Sequence, residues 1–353
     1  MRYIGYVTTI LRGGYCMKSN RRLFAVTLLG VALSLSPSFA TPTVADLQRG
    51  AAAMSNALAK ALPFNSTVGL NWSDAYIGQF VSLPPHFGFG IVGGATSINS
   101  SDVTALLKTL GYDTSSLGNT LPLPALAAEG RIGGFILPFD IGLKAGFIPQ
   151  AAGEALSSAA GGLNVDYLLL GADVRYALVK GNLVLPKVSI GVGLNYMSGG
   201  VSKSVGSDQS FAFGTDTIKA QAPTIGIDWK TTTLDFKAQV SKSFLIFTPY
   251  LGLGAAYGMS HVGYSVKSTV LYNGTAINQN QINSINSYLQ SLGIAPMDIT
   301  ASGISSYYDV NAWAIRAFGG LSLNMFVIRM DLTGLYNISD GSYGGTLGVR
   351  FQL

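Results

Sequence analysis

The chain has 353 residues, of which 48% are hydrophobic and only 11% are charged, and its mean hydropathy is +0.37. Soluble domains contain roughly 25% charged residues, so this composition argues against an ordinary soluble protein and is typical of a membrane protein. Outside the N-terminal region, no uninterrupted apolar run reaches the roughly 20 residues that a transmembrane helix needs. Helices and closed barrels are the structures that satisfy the whole backbone in lipid, so the sequence predicts a β-barrel.

The first 40 residues predict an export signal. A basic segment follows Met17, an apolar run covers residues 23–33, and Ser38-Phe39-Ala40 supplies the small residues at which a signal peptidase cleaves. The alternative, a membrane anchor, would need a longer apolar run. We therefore assign residues 1–40 to an over-extended start plus a signal peptide, with the mature chain beginning at about residue 41.

Removal of this segment would change the charge balance. The chain has 22 basic and 17 acidic residues, but five of the basic residues and none of the acidic ones precede residue 41. A mature chain with 17 residues of each sign lacks the basic footprint that nucleic-acid binding requires, so we predict no nucleic-acid partner. It would also lack cysteine, because Cys16 is the only one, and this excludes a disulfide framework and a thiolate metal site.

Residues 43–62 predict a helix that precedes the barrel. Thr43 and Asp46 fit a capping box, apolar residues follow at three- and four-residue spacing, and Pro63 is expected to end the helix. We assign residues 41–65 to an N-terminal helical arm or to a plug inside the lumen, and the sequence favours neither.

From residue 66 to residue 353, stretches of period-two alternation predict the strands of the barrel. The first stretch contains Val68, Leu70 and Trp72. The others lie at residues 87–91, 126–132, 141–147, 167–176, 188–196, 234–240, 251–260, 313–321, 328–336 and 347–353. Short helices are expected in two of the longer connections, at residues 102–110 and 281–292.

The strand count of about eleven is odd, whereas bacterial single-chain barrels normally have an even number of strands. Either a strand near residues 211–228 escapes detection, or the helix at residues 43–62 passes through the lumen and the barrel starts at the far rim. We predict about twelve strands, with ten or fourteen as alternatives. Short turns alternate with long loops along the chain, which is the asymmetry of outer-membrane barrels.

Alternation places the charged residues of these strands on the face opposite the apolar side chains. A Lys or Arg that faces lipid at mid-depth costs roughly 2–4 kcal/mol, so the charged face should line the lumen. The candidate lumen-lining residues are Glu129, Arg131, Lys144, Asp173, Arg175, Asp235, Lys237, Arg316, Arg329, Asp331 and Arg350.

We interpret these charges as an interior salt-bridge network, because buried charges are normally paired. The functional alternative is a pore lining or an anchor for an anionic head group. Arg316, Arg329, Asp331 and Arg350 come from consecutive strands and are candidates for a single cluster.

No catalytic or metal-binding pattern accompanies the charges. His86 and His261 fall on different predicted strands without an evident Ser or Asp partner, and the sequence shows no metal-ligand spacing or phosphate-binding loop. We therefore predict no enzyme activity, no metal and no cofactor.

The alternating strands of residues 66–353, together with the terminal run of Leu347, Val349 and Phe351, resemble bacterial outer-membrane β-barrels of the Gram-negative type of envelope. The resemblance implies an all-β, antiparallel up-and-down transmembrane barrel in the bacterial outer membrane. It also implies contact with outer-membrane lipid and recognition of the C-terminal strand by the barrel-assembly machinery.

A helix before a mid-sized barrel is similar to the long-chain fatty acid transporter group, in which an N-terminal hatch plugs the lumen and hydrophobic solutes pass through it. Leu62-Pro63-Phe64-Asn65 is only a loose match to the Asn-Pro-type motif of that family.

These expectations favour passive transport of a small or hydrophobic solute through the lumen. The alternative is a structural or surface-interaction barrel whose long loops carry adhesion or antigenic contacts, and a lumen filled by paired charges would favour that function. A secreted soluble β-protein is the third hypothesis.

Overall fold

The computed structural model describes residues 44–101, 104–105, 108, 118–148, 153–154, 163–204, 208–213, 215–291, 298–300 and 303–353. The strands are β1 (Phe87–Asn99), β2 (Thr120–Gly133), β3 (Phe139–Phe147), β4 (Leu163–Val179), β5 (Lys187–Ser204), β6 (Gln209–Phe213), β7 (Asp216–Ser241), β8 (Phe247–Tyr272), β9 (Thr275–Ala276), β10 (Asp298–Thr300), β11 (Gly303–Met325), β12 (Ile328–Asn337) and β13 (Tyr343–Gln352). The helices are α1 (Val44–Ser66) and α2 (Gln279–Ser291).

Ten of these strands form a closed antiparallel barrel. The order is β1-β2-β3-β4-β5-β7-β8-β11-β12-β13, and β13 pairs with β1 to complete the circle. The short strands β6, β9 and β10 pair with β7, β8 and β11 beyond the barrel wall. We call the end with the β2–β3, β4–β5, β7–β8 and β11–β12 turns the short-turn rim, and the other end the long-loop rim.

The predicted closed antiparallel barrel is confirmed. The favoured number of twelve strands is wrong, and the alternative of ten is the number observed. Residues 68–72 are not a strand, and the barrel strands begin at Phe87. The region near residues 211–228 adds no barrel strand of its own, because β7 runs without interruption from Asp216 to Ser241. Helix α2 confirms the helix predicted near residues 281–292, whereas the predicted helix at residues 102–110 and the predicted signal segment lie mostly or wholly outside the described residues.

The outer wall of the barrel is apolar over most of its height. On β8, for example, Leu251, Leu253 and Met259 point outward and are 60%, 59% and 49% exposed, whereas the intervening Gly252, Ala256 and Ser260 are buried. The same alternation recurs on β2, β3, β12 and β13. Neither helix in the described part of the chain is both long enough and apolar enough to cross a bilayer.

Helix α1 lies inside the barrel. Near its C-terminal end, Asn65 Nδ2 donates to Thr96 Oγ1 of β1 (2.9 Å) and Ser66 Oγ donates to Thr233 Oγ1 of β7 (3.0 Å), while other residues of the helix contact β8 and β11. Contacts with strands from several sides of the barrel place the helix within the lumen.

The helix does not end at Pro63, as the sequence suggests, but continues to Ser66. Proline has no N–H, so the carbonyl of Ala59, four residues earlier, loses its helical donor. Ser260 Oγ of β8 donates to this carbonyl instead (3.1 Å). The barrel wall therefore satisfies the group that proline leaves unpaired, and the helix can continue.

After α1, residues 67–77 run through the lumen toward the short-turn rim. Ala59 is bonded to β8 at Ser260, whereas Ala75 N donates to Ser241 Oγ at the last residue of β7 (2.9 Å). We call residues 44–77 the lumen segment. The half of the lumen nearer the short-turn rim is the lower lumen, and the other half is the upper lumen.

Candidate functional site

The lower lumen contains the predicted charged residues. Ten of the eleven are buried, and Arg329 is partly buried. They do not line an open channel, because the lumen segment occupies the space between them. The charges fall into several groups, which differ in their partners.

The largest ion-pair group joins β2, β3, β4 and β7. Arg131 bonds to Asp140 Oδ1 (2.5 Å) and to Asp173 Oδ1 (2.7 Å), Arg175 Nε donates to Asp140 Oδ1 (2.8 Å), and Lys237 Nζ lies 2.6 Å from Asp173 Oδ2. All five side chains are buried, so each carboxylate offsets the desolvation of two cations.

The predicted cluster of Arg316, Arg329, Asp331 and Arg350 forms only in part, because Arg329 and Arg350 meet beside Asp74 while Arg316 lies elsewhere. Arg316 instead makes a two-pronged ion pair with Asp235, with N–O distances of 2.6 and 3.0 Å, and Arg350 contacts Asp331. Gly254 of β8 lies between Arg316 and Asp235, and a Cβ at Gly254 would approach Arg316 Nη1 to 2.5 Å. The missing side chain lets the guanidinium reach across a strand, and strand order alone could not predict this.

Backbone carbonyls of the lumen segment accept from lysines of the wall. Lys144 Nζ donates to the carbonyls of Ser66 and Val68, both at 2.6 Å, and Lys237 Nζ donates to the carbonyl of Leu70 (2.9 Å). Charge-assisted bonds of this kind are roughly twice as strong as neutral ones. The wall thus holds the part of the lumen segment that follows the helix, and it does so by binding the main chain of that part.

Trp72 has the largest side chain of residues 67–77, and it is 1% exposed. Its Nε1 donates to Glu129 Oε1 (2.7 Å), and Leu70 N donates to Glu129 Oε2 (2.6 Å). The guanidinium groups of Arg350 and Arg131 lie 4.7 and 5.7 Å from the indole centroid. Glu129 therefore joins the wall to the lumen segment.

We expect Trp72→Phe to lower the free energy of unfolding by about 1–3 kcal/mol, because it leaves the buried Glu129 carboxylate without one of its two donors. Denaturant unfolding in lipid vesicles would measure the change. Trp313→Phe is the matched control, since Trp313 is 54% exposed on the outer wall. Equal losses for the two variants would contradict the role assigned to the indole N–H.

Sequence reasoning missed three members of the charged set, namely Asp74, Asp140 and Lys187. Asp140 falls just before the predicted strand at residues 141–147, although it lies on β3 with the same parity as Lys144 and is fully buried. That parity is the signal that identifies it. Asp74 and Lys187 form an ion pair at 2.9 Å near the short-turn rim, and no sequence signal joins two residues so far apart.

The upper lumen holds an apolar cavity of about 210 Å³. Met54 and Leu58 of α1 form one side, and Leu121 and Leu123 of β2 and Trp229 of β7 form others. The remaining lining is also almost wholly apolar, with Asp166 as its charged member. Such a cavity suits a small apolar molecule, since ligand pockets are typically apolar with few polar groups.

In the part of the chain that the structure describes, the barrel wall beside this cavity is incompletely paired. The β2–β3 ladder reaches only to Ala128 and Ala145, and β3 ends at Phe147, after nine residues. Beyond it, Tyr167 Oη of β4 accepts from Leu126 N (3.3 Å). Among the described residues, no strand pairs with the part of β2 before residue 126 on this side, and we call this gap the wall opening.

Two prolines lie on β2 at the wall opening. Alternate residues of a strand direct their N–H groups to opposite sides, so Pro122 and Pro124 share the side of Leu126, whose N–H points to β4. Proline has no N–H, and prolines at a sheet edge prevent further pairing. The sequence of β2 thus favours an unpaired edge at this position.

Within the described ranges, no group of three or more His, Cys, Asp or Glu side chains is placed to hold a metal ion.

Comparison of the sequence with protein-family models and with curated proteins finds no match. Solved structures with a similar arrangement include the outer membrane protease OmpT from Escherichia coli, with 11% identity, coverage of 76% of this chain and 97% of that chain, and a TM-score of 0.38. The Ralstonia pickettii toluene transporter TbuX has 9% identity, coverage of 76% and 89%, and a TM-score of 0.25. The transport unit of the autotransporter AIDA-I from Escherichia coli has 8% identity, coverage of 87% and 99%, and a TM-score of 0.21.

These similarities correct one prediction and leave another unsupported. The prediction that the protein is not an enzyme is wrong, because it does not follow from a barrel architecture: a protease is among the similar barrels. At such low identity and TM-score, the similarity assigns no catalytic activity to this chain either. The specific resemblance to the long-chain fatty acid transporter group is not confirmed. The chain is a closed ten-strand β-barrel with structural neighbours among outer-membrane barrels.

Proposed function

We propose that the protein is a bacterial outer-membrane barrel that takes a small apolar solute into the cavity of its upper lumen. The observation that carries this proposal is the position of the apolar cavity directly inside the wall opening. The apolar outer wall supports a location in lipid, because exposed apolar side chains at every second position suit the hydrocarbon region of a bilayer.

The geometry supports entry from the long-loop rim or from the lipid at the wall opening. Strand β3 has nine residues, which is about the number that crosses a bilayer. The wall opening, which begins where β3 ends, therefore lies near the end of the apolar wall that is closer to the long-loop rim. The lumen segment fills the lower lumen, so a solute that continues toward the short-turn rim requires residues 67–77 to move.

We expect Leu123→Trp to weaken the binding of an apolar fluorescent probe, such as N-phenylnaphthylamine, by about tenfold, which corresponds to about 1.4 kcal/mol. Leu123 lines the cavity, and the larger indole would occupy the space that the probe needs. Fluorescence titration of the purified protein in detergent measures the dissociation constant.

Leu143→Trp is the matched control, because Leu143 is 62% exposed on the outer face of β3. The control should bind the probe like the wild type. A wild-type protein that does not bind the probe, or equal binding by both variants, would contradict the proposed site.

A structural or surface-interaction barrel is the second candidate function. The observation that favours it is the filled lower lumen, in which every wall carboxylate has a cationic or hydrogen-bonding partner. Vesicles that contain the wild-type protein distinguish the two functions, because transport predicts flux of an apolar solute across the bilayer. If the barrel only presents its loops to other molecules, we expect no flux of the solute.

A further inference from the structure

The carboxylate of Asp74 occupies a cationic pocket at the short-turn rim. Lys187 Nζ lies 2.9 Å from Oδ1, and Arg329 Nη1 lies 2.8 Å from Oδ2. Gln352 Nε2 donates to Oδ2 (3.1 Å), and Arg350 Nη2 lies 3.7 Å from the same atom. Asp74 itself is 1% exposed. Three cations and one amide donor, drawn from three strands of the wall, thus surround a carboxylate that belongs to the lumen segment.

The wall of the lower lumen has more positive than negative charges. Its described cations are Arg131, Lys144, Arg175, Lys187, Lys237, Arg316, Arg329 and Arg350, and its described carboxylates are Glu129, Asp140, Asp173, Asp235 and Asp331. Eight cations against five carboxylates give the wall a net charge of +3.

The lumen segment offsets part of this excess with the carboxylate of Asp74 and solvates Lys144 with backbone carbonyls. Lys144 donates to two of its carbonyls, and Lys187 and Arg329 both bind Asp74. In the part of the chain that the structure describes, none of these three cations has a wall carboxylate within 4.0 Å. The positive charges that the wall does not neutralise are therefore those that the lumen segment binds.

We propose that Asp74 acts as a tethered anion that keeps an anion-selective path through the lower lumen closed. Movement of residues 67–77 would remove the lumen-segment partners of Lys144, Lys187 and Arg329, although Arg329 would keep its bond to Asn324 Oδ1 (3.2 Å). A narrow lumen with such positive charges attracts mobile anions and repels cations. The side chains of Lys187 and Arg329 are 29% and 19% exposed, so solution anions reach this pocket from the short-turn rim. The path takes small anions as a class, and chloride is the probe. This inference is independent of solute binding in the upper lumen.

The test is ion conduction by the full chain in a planar bilayer under a potassium chloride gradient. We expect Asp74→Ala to raise the fraction of time in the open state by about tenfold or more, because loss of one partner of a buried ion pair shifts an equilibrium by at least that factor. The reversal potential of the open state should have the sign of chloride selectivity. Adding Lys187→Ala and Arg329→Ala to this variant should reduce that selectivity.

Two further variants separate opening of the lumen from leakage. Asp340→Ala removes an exposed carboxylate at the opposite rim and should conduct like the wild type. Ala75→Cys with Ser241→Cys, added to Asp74→Ala, replaces the contact between Ala75 N and Ser241 Oγ by a disulfide, which should close the path until a reductant is added.

If Asp74→Ala does not fold, Asp74→Asn removes the charge while it keeps the shape of the side chain, and the same selectivity is expected. Three results would overturn the inference. The open state could select cations, the openings could persist in the oxidised double-cysteine variant, or a folded Asp74 variant could be open for no more of the time than Asp340→Ala.

Discussion

Replacement of Asp140 by alanine is expected to lower the free energy of unfolding by about 3–5 kcal/mol, the cost of removing one partner from a buried ion pair. Asp140 has no exposed surface and accepts bonds from both Arg131 and Arg175. Arg131 would keep Asp173 as a partner, whereas Arg175 would keep only the carbonyl of Asp74. A buried guanidinium would thus lose its carboxylate on β3.

Urea unfolding in lipid vesicles, followed by tryptophan fluorescence or by heat-dependent migration on gels, measures this loss. Asp340→Ala is the matched control, because Asp340 is exposed in the turn between β12 and β13, and surface substitutions usually change stability by less than about 0.5 kcal/mol. If Asp140→Ala also changes the free energy of unfolding by less than about 0.5 kcal/mol, the ion-pair group does not stabilise the barrel.

Sequence alternation predicts the sidedness of the barrel because the physics behind it is local. A strand directs successive side chains to opposite faces, and a charge on the apolar face would be costly in lipid. Hence Arg175, Lys237 and Arg350 could be assigned to the lumen from their neighbours alone, and the structure buries all three. Alternation does not assign their partners. Arg175 and Arg350 pair with carboxylates of neighbouring strands, Asp140 of β3 and Asp331 of β12, whereas Lys237 of β7 reaches past β5 to Asp173 of β4.

The same signal misleads at Val68, Leu70 and Trp72. This stretch alternates in the sequence, but its carbonyls accept from lysines rather than from a neighbouring strand. Gly69 and Leu70 have φ angles of +86° and +60°, values that interrupt a strand. Period-two alternation therefore does not by itself identify a strand, which also needs β-region backbone angles and a hydrogen-bonded neighbour.

Strand ends near the long-loop rim were also unpredictable. Strand β7 begins at Asp216, far before the alternation that starts near residue 234, and Thr231, Thr232 and Thr233 place hydroxyl groups on both faces. Above the apolar wall the inward residues Ile227 and Trp229 are apolar and buried, whereas the outward residues Asp228 and Lys230 are charged. The pattern of the lower wall, apolar outside and polar inside, is therefore reversed here. On β2, Pro122 and Pro124 argue against a strand by sequence criteria, and they are tolerated because no described strand pairs with their side of β2.

The proposal that the outer wall faces lipid predicts a depth-dependent cost for a charge on β8. Leu253→Arg should lower the free energy of unfolding in vesicles by about 2–4 kcal/mol, and Met259→Arg by about 0–1 kcal/mol, because the penalty falls from the bilayer midplane to the interface. Leu253 lies in the middle of the outward apolar positions of β8 and is 59% exposed, whereas Met259 is near their upper end and is 49% exposed. Beyond Met259 the outward position is His261, whose Nδ1 lies 2.7 Å from Asp309 Oδ1, so the polar part of the wall begins there. Equal and small effects at both positions would mean that this face of the barrel is in water, and a folded wild-type protein that does not insert into vesicles would contradict the membrane location directly.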